Sequence, residues 1–223
     1  MSMLSPLLDT NPASPRLTVY DEAAGTRMEF SALTLDNWAS KVANMLDGEF
    51  ELSPGSPVLI DVPVSWQAAV VALGAYNSSR RPAFAGADAF EGEPEVVFTT
   101  ADRAAEWEGA ADVVVVSSDP FGRGVVESGG ELPLGAVDFG PTVRFYGDDY
   151  FGTTAQLAQW ARPGVERGRY HVEPWTDAAS FEERVLAPLA ADGSVVVVTG
   201  LASADRLRSI LEAENVSHFV TRG

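Results

Sequence analysis

The sequence predicts an α/β fold, with a mainly parallel, doubly wound sheet and helices on both faces. Three observations lead there. Short apolar runs alternate with stretches whose apolar residues recur every three or four positions, over most of the 223 residues. Runs such as Val58–Val62, Val113–Ser117 and Val195–Thr199 are apolar or nearly so, as in strands buried on both faces. Strands joined through helices pair in parallel and cross over with a right hand, which favours winding in both directions.

The elements follow in order. Leu17–Tyr20 and Arg27–Phe30 flank a turn at Ala24-Gly25-Thr26 and read as a hairpin. Ser31 is placed to cap a helix with the stripe Leu35, Trp38, Val42 and Leu46. Pro54-Gly55 marks a turn before the strand Val58–Val62, and Ser65 is placed to cap a helix through Trp66, Ala69, Val70, Leu73 and Tyr76. Strands are expected at Val96–Thr99, Val113–Ser117, Thr142–Tyr146, Val195–Thr199 and Val216–Val220. Short helices are expected at Asp102–Trp107 and Thr154–Ala161. Two longer ones are expected, one capped by Ser180 with Phe181, Val185, Leu186 and Leu189, and one capped by Ser203 with Leu207, Ile210 and Leu211. Residues 1–16, rich in Pro, Ser and Asn, read as a lead-in, and 17–223 as a single α/β domain. The alternative division has two lobes, 17–118 and 141–223, about a glycine-rich loop at 119–140.

Charge excludes some functions. Fifteen basic against 32 acidic residues leave a net charge of −17, so nucleic acid and anionic membranes, both bound through Lys and Arg on phosphates, are not expected partners. No apolar run reaches the roughly 20 residues that cross a bilayer. Met1–Arg16 lacks the basic and apolar regions of a secretory signal, and the chain has no cysteine, so a cytoplasmic protein is expected.

Three segments, in order, resemble the N-terminal part of the adenylate-forming (acyl-CoA synthetase-like, AMP-binding) superfamily. Leu17 to Leu46 is similar to its opening hairpin and first helix. Val58 to Ala85 has its strand, helix and following strand. Glu183 to Val220, with a glycine-preceded valine strand and a serine-histidine strand, resembles the stretch after its nucleotide loop. A small actinobacterial family with faint similarity to AMP-binding enzymes is a closer resemblance. The superfamily joins a carboxylate to AMP with release of pyrophosphate, and its phosphate loop is rich in Gly, Ser and Thr and ends in Pro-Lys-Gly. Gly152, Thr153 and Thr154 match the core of that loop. Ala155 stands at its next glycine, however, and Gln156-Leu157-Ala158 replace Pro-Lys-Gly. The other reading is that Thr153 or Thr154 caps a helix reaching Ala161. Lys41 is the single lysine, on a helix far from that string, and arginines such as Arg162, Arg167 and Arg169 do not copy a lysine's geometry. The superfamily's later motifs lie beyond a segment like Glu183–Val220, and the sequence stops at Gly223, so adenylation is not expected.

Other constellations read as structural. His171 and His218 stand in strand-like settings without ligand spacing, so no metal is expected. Asp148-Asp149 reads as a turn more than a cation site, Gly122-x-Gly124 as a loop, and Arg80-Arg81 as cations at a helix C-terminus more than an anion site. Trp38 and Trp66 read as core, and Trp160 and Trp175 as residues that can line a cleft. The expectation is a non-catalytic remnant of the adenylate-forming fold that binds a small molecule or regulates. It has no resident cofactor, and the resemblance implies ATP, AMP or CoA as ligands to test. The alternatives are a structural or protein-interaction module, as a homodimer or with a protein partner, and a divergent acyl-activating enzyme.

Overall fold

The computed structural model describes residues 1–89, 93–109 and 111–220. The chain forms two compact units, each with a five-stranded sheet. Mainly parallel strands with helices around them are present as expected, distributed over two sheets.

The first unit holds Met1–Met3, Asp36–Pro63 and Gln67–Ala155. Its strands are β3 (Pro57–Asp61), β4 (Arg81–Phe84), β5 (Val96–Thr99), β6 (Asp112–Val115) and β7 (Val137–Asp138), all parallel in the order β4-β3-β5-β6-β7. The chain starts at β3, steps outward to β4, then returns across β3 to continue on its other side. The direction of winding therefore reverses between β3 and β5. Helix α3 (Trp66–Asn77) makes the β3–β4 crossover, and residues 68 to 73 along it are all fully buried, so it reads as apolar all round. Helix α2 (Ala32–Gly48) lies against it. A Cβ on Gly74 of α3 would overlap the Val42 side chain and stand 3.1 Å from the Ala39 carbonyl oxygen, so glycine sets the separation of the two helices.

The glycine-rich stretch 119–140 lies inside this unit and is bonded to itself throughout. Asp138 Oδ1 accepts from Val125 N (3.0 Å), and Glu127 Oε2 accepts from Gly124 N (2.7 Å). A Cβ on Gly124 would be 2.5 Å from Asp138 Oδ2, and one on Gly140 would be 2.6 Å from Gly124 N. The glycines are needed for close approach, which also accounts for the Gly122-x-Gly124 string. The strand expected at Thr142–Tyr146 is instead helix α4 (Phe139–Phe145). Phe139 and Val143, four apart, are the buried pair, and Pro141 sits in the first turn, where its missing N–H has no partner to lose.

The second unit holds Leu4–Leu35, Val64–Trp66 and Gln156–Gly223, described to Val220. Its strands are β1 (Pro15–Asp21), β2 (Thr26–Ser31), β8 (Arg169–Val172), β9 (Ser194–Thr199) and β10 (His218–Val220), in the order β10-β8-β9-β1-β2. Only the β1–β2 hairpin is antiparallel. Tyr20, Val196 and Ile210 form the core where α7 (Ala204–Ala213) covers the sheet, while Val195 and Val197 point to the other face by the period of two. Ser31 accepts from Thr34 N at the start of α2, and Ser203 accepts from Arg206 N at the start of α7, both as expected. Within the expected lead-in, α1 (Ser5–Thr10) begins behind Leu4 with Pro6 in its first turn, and Leu4 and Leu7 are buried.

The helix expected from Ser180 begins at Ala178, because Asp177 is its cap. Asp177 Oδ1 accepts from Ser180 N (2.6 Å) while Ser180 Oγ accepts from Asp177 N (3.0 Å), a reciprocal box. The helix then widens between α5 (Ala178–Phe181) and α6 (Ala187–Ala190). Over Glu182–Leu186 it becomes a π turn in which Ala187 N donates to Glu182 O, five residues back. Pro188 follows; it has no N–H for the Arg184 carbonyl and its ring would press on that group, so the wider turn accommodates it.

A polar network crosses the second sheet. Glu214, at the end of α7, accepts from Tyr20 Oη (2.6 Å), Arg27 Nε (2.7 Å) and Arg169 Nη2; Arg27 and Arg169 also reach Glu29. Burial pushes the Glu214 pKa up, but the hydrogen bonds from Arg27, Tyr20 and Arg169 outweigh it and hold the carboxyl at about 2, against 4.5 ordinarily. A depressed carboxyl contributes stability above its unfolded pKa and loses it as pH falls toward the folded one. Acid titration of the fold is therefore expected to lose on the order of 2–3 kcal/mol from this group between about pH 4.5 and pH 2, and Glu214→Gln is expected to remove that limb of the curve. Gly74→Ala is expected to destabilise by about 1–3 kcal/mol in chemical denaturation, because overlap with Val42 outweighs the roughly 1 kcal/mol of helix propensity gained.

Candidate functional site

In an open parallel sheet, ligands bind beyond the carboxyl ends of the strands where the winding reverses. In the first unit that position lies past β3 and β5, which end in Asp61 and Thr99. Both are buried, each closing an otherwise apolar run. Asp61 Oδ2 accepts from Trp107 Nε1 (2.8 Å) and Thr99 Oγ1 (3.2 Å), and Oδ1 accepts from Arg103 Nη1. The guanidinium and the indole come from the 3₁₀ turn Ala104–Trp107 and the residue before it. This crevice is filled by the chain's own donors, and the carboxylate has its partners. The sequence reading passed over Asp61 and Thr99; the signal was a polar residue at the end of each apolar strand.

The second location is the stretch from Tyr146 to Ala155, which carries the expected loop residues. Lys41 of α2 donates to Tyr146 O (2.6 Å) and pairs with Asp148 (2.9 Å). Asn44, one turn on, donates to Gly147 O (3.1 Å) and Asp149 O (2.9 Å). Asp148 thus has a lysine partner, and the single lysine of the sequence is engaged in pinning this stretch to α2. Tyr150 is buried beside Asp47 and Arg80; burial, then Asp47, raise its hydroxyl above the ordinary value. A Cβ on Gly152 would overlap the Tyr150 hydroxyl.

Thr153 O accepts from Ser79 Oγ (3.1 Å), Thr154 Oγ1 donates to Met1 O (3.1 Å), and Ala155 N donates to Tyr76 O (3.4 Å). The structure brings Gly152, Thr153 and Thr154 together in a loop laid over the C-terminal end of α3. It corrects the capping alternative: the helical residues after the loop are only the 3₁₀ turn Leu157–Trp160, whose cap position is Gln156 with no side-chain bond.

Other polar atoms of this unit are buried without partners. Asp36 Oδ1, Ser40 Oγ, Asn77 Nδ2, and Arg80 Nε and Nη1 are buried with no hydrogen bond. All belong to α2, α3 or the residues just after α3. The Arg80 side chain is tied on its remaining nitrogen to Leu52 O and Asp47, at the C-terminal end of α2, as expected of a cation there.

In the second unit, His218 stacks on Tyr170 with centroids 4.7 Å apart, and His171 meets Phe219 edge-on at 6.1 Å; burial lowers the His171 pKa. Trp175 is buried against Phe181, and Arg162 pairs with Glu183 at 3.7 Å. Among the described residues no three His, Cys, Asp or Glu side chains gather as metal ligands, and no helix is long and apolar enough to cross a membrane.

No protein-family profile matches the sequence. The fold is that of the N-terminal part of acyl-CoA synthetases. An acyl-CoA synthetase from Brucella canis superposes over 98% of this chain and 47% of its own, with a TM-score of 0.69 and 14% identity. A benzoate CoA ligase from Burkholderia xenovorans LB400 does so over 98% and 50%, with a TM-score of 0.67 and 13% identity. The N-terminal domain of FACL13 from Mycobacterium tuberculosis covers 97% of this chain and 61% of its own, at a TM-score of 0.67 and 12% identity. The chain thus spans about half the length of the first two structures. A TIGR03089 family protein from Mycobacterium tuberculosis (strain ATCC 25618 / H37Rv) is 35% identical over 218 residues, 93% of this chain and 76% of that protein. With identity of that level over 93% of this chain, the chain belongs to the TIGR03089 family.

Proposed function

We propose that this protein is a non-catalytic form of the adenylate-forming fold, working as a small-molecule binding or regulatory module. The observation that carries the reading is the engagement of Lys41. Transfer of a nucleotidyl group relies on cations and backbone N–H groups aimed at the phosphates. Here the single lysine is committed to Tyr146 O and Asp148, and the loop bearing Gly152, Thr153 and Thr154 spends its polar groups on Ser79, Met1 and Tyr76. Retained binding is supported by the buried donors and acceptors of α2, the end of α3 and Arg80 that stand without partners.

The test has two arms. With ATP and a panel of carboxylates, no pyrophosphate is expected above the enzyme-free background. In a thermal-shift panel of ATP, AMP, CoA, acyl-adenylates and small polar metabolites, a ligand at 100 times its Kd is expected to add about 2.7 kcal/mol, or roughly 5–10 °C in Tm for a chain of this size. Pyrophosphate release overturns the non-catalytic reading, and a panel without any shift at millimolar concentration overturns the binding one.

A second reading, a protein-interaction module or homodimer, is favoured by the exposure of Phe145 (88%) and Phe151 (92%) on either side of the pinned stretch. Light scattering is expected to show a dimer that Phe145→Ser with Phe151→Ser dissociates; a monomer at all concentrations removes the homodimer.

A further inference from the structure

Two phenylalanines of the first unit face solvent almost completely, on either side of the residues that Lys41 and Asn44 hold on α2. Phe145 is 88% exposed and Phe151 92%. With so few residues between them, their Cα atoms lie at most about 20 Å apart, within the span of one protein interface. Phe145 meets Tyr146 edge-on with centroids 6.0 Å apart, and the Tyr146 hydroxyl donates to Glu49 Oε2 (2.9 Å). A Cβ on Gly48 would stand 3.0 Å from the Tyr146 ring. Phe151 follows Tyr150, which is buried and hydrogen-bonded to Asp47. The end of α2 and the residues after it therefore lie against the segment that bears both rings. Aromatic side chains on a frame pinned in this way lose little freedom on contact, which suits them as interface anchors.

Charge selects what covers them. Asp47, Glu49, Glu51, Asp148 and Asp149, on the same two segments, are all exposed. Arg80 pairs with Asp47 and Lys41 with Asp148. Among the described residues, Glu49, Glu51 and Asp149 are left without a cationic partner. A second copy of this chain would bring the same carboxylates and a net charge of −17, setting like charges face to face. Nucleic acid and anionic membranes meet the same repulsion. Lysines or arginines set beside apolar side chains match both features of the face.

We propose that Phe145 and Phe151 anchor a basic segment of another protein, whose apolar side chains cover the two rings and whose cations pair with Glu49, Glu51 and Asp149. The proposal rests on the protein-interaction form of the second reading above and names its partner, in place of a second copy.

Fluorescence anisotropy on the whole chain tests it at physiological ionic strength, with a labelled amphipathic helical peptide of leucine and lysine as the probe. Phe145→Ser with Phe151→Ser keeps the net charge and removes only exposed side chains; it is expected to weaken binding at least tenfold. Glu49→Gln, Glu51→Gln and Asp149→Asn together are expected to weaken it at least tenfold and to flatten its salt dependence. Asp9→Asn, Glu131→Gln and Glu212→Gln remove the same charge from other exposed positions and are expected to change affinity less than twofold. A peptide with glutamate for lysine is expected not to bind. No binding of the lysine peptide, full affinity after the phenylalanine changes, or equal losses in the two triple variants overturns the proposal. Light scattering separates its failure from that of the reading beneath it. If the peptide fails while the chain is a dimer that the phenylalanine changes dissociate, the interaction reading stands with a second copy as occupant. If the peptide fails and the chain is a monomer, both fall.

Discussion

Helix α3 lies directly on α2 because residue 74 has no side chain. The Val42 methyls and the Ala39 carbonyl occupy the space a Cβ would need. Interiors are packed closely enough that a single added carbon must displace something, so this contact fixes where both helices run. The polar residues that hold the Tyr146–Ala155 stretch hang from those two rods. Lys41 and Asn44 project from α2, and Ser79 follows directly after α3. A small shift between the helices would separate Lys41 from the stretch it pins.

The two sites of the first unit contrast in how their polar groups are met. At the winding reversal, Asp61 receives an indole, a hydroxyl and a guanidinium, and a buried carboxylate so supplied serves to hold the Ala104–Trp107 turn on the sheet. On α2 and around the end of α3 the buried donors and acceptors are only partly met. Unmet buried groups each cost roughly 1–3 kcal/mol. Glu214 gathers Tyr20, Arg27 and Arg169 and joins the end of α7 to strands β1, β2 and β8, as a closed network of matched charge.

Parts of this were legible in the residue order. The hairpin, the caps at Ser31 and Ser203, and the valine strand β9 follow from turn chemistry, capping and apolar spacing, which are local. The strand expected at Thr142–Tyr146 went wrong because Val143 and Phe145 alternate with polar residues over too short a span to separate a period of two from one of 3.6. The buried partner that decides, Phe139, lies outside that span. The π turn was equally hidden, since its cause, Pro188, follows the residues it affects. Of the site, Gly152, Thr153 and Thr154 were named in advance, but Ser79 and Met1, the partners of Thr153 and Thr154, are 74 and 153 residues away, apart from any local pattern.

By itself, the sequence determined the α/β class, the resemblance to the opening half of acyl-CoA synthetases, and the scarcity of lysine, because periodicity, turn residues and composition are properties of neighbours along the chain. Only the tertiary structure decided that the parallel strands divide between two sheets, that Lys41 is spent on holding Tyr146 and Asp148, and that Asp36, Ser40 and Asn77 are left with buried atoms unmet. Those outcomes depend on which distant groups reach each polar atom after the helices have packed, and a hydrogen bond missing at the end of that process leaves no mark on the order of residues.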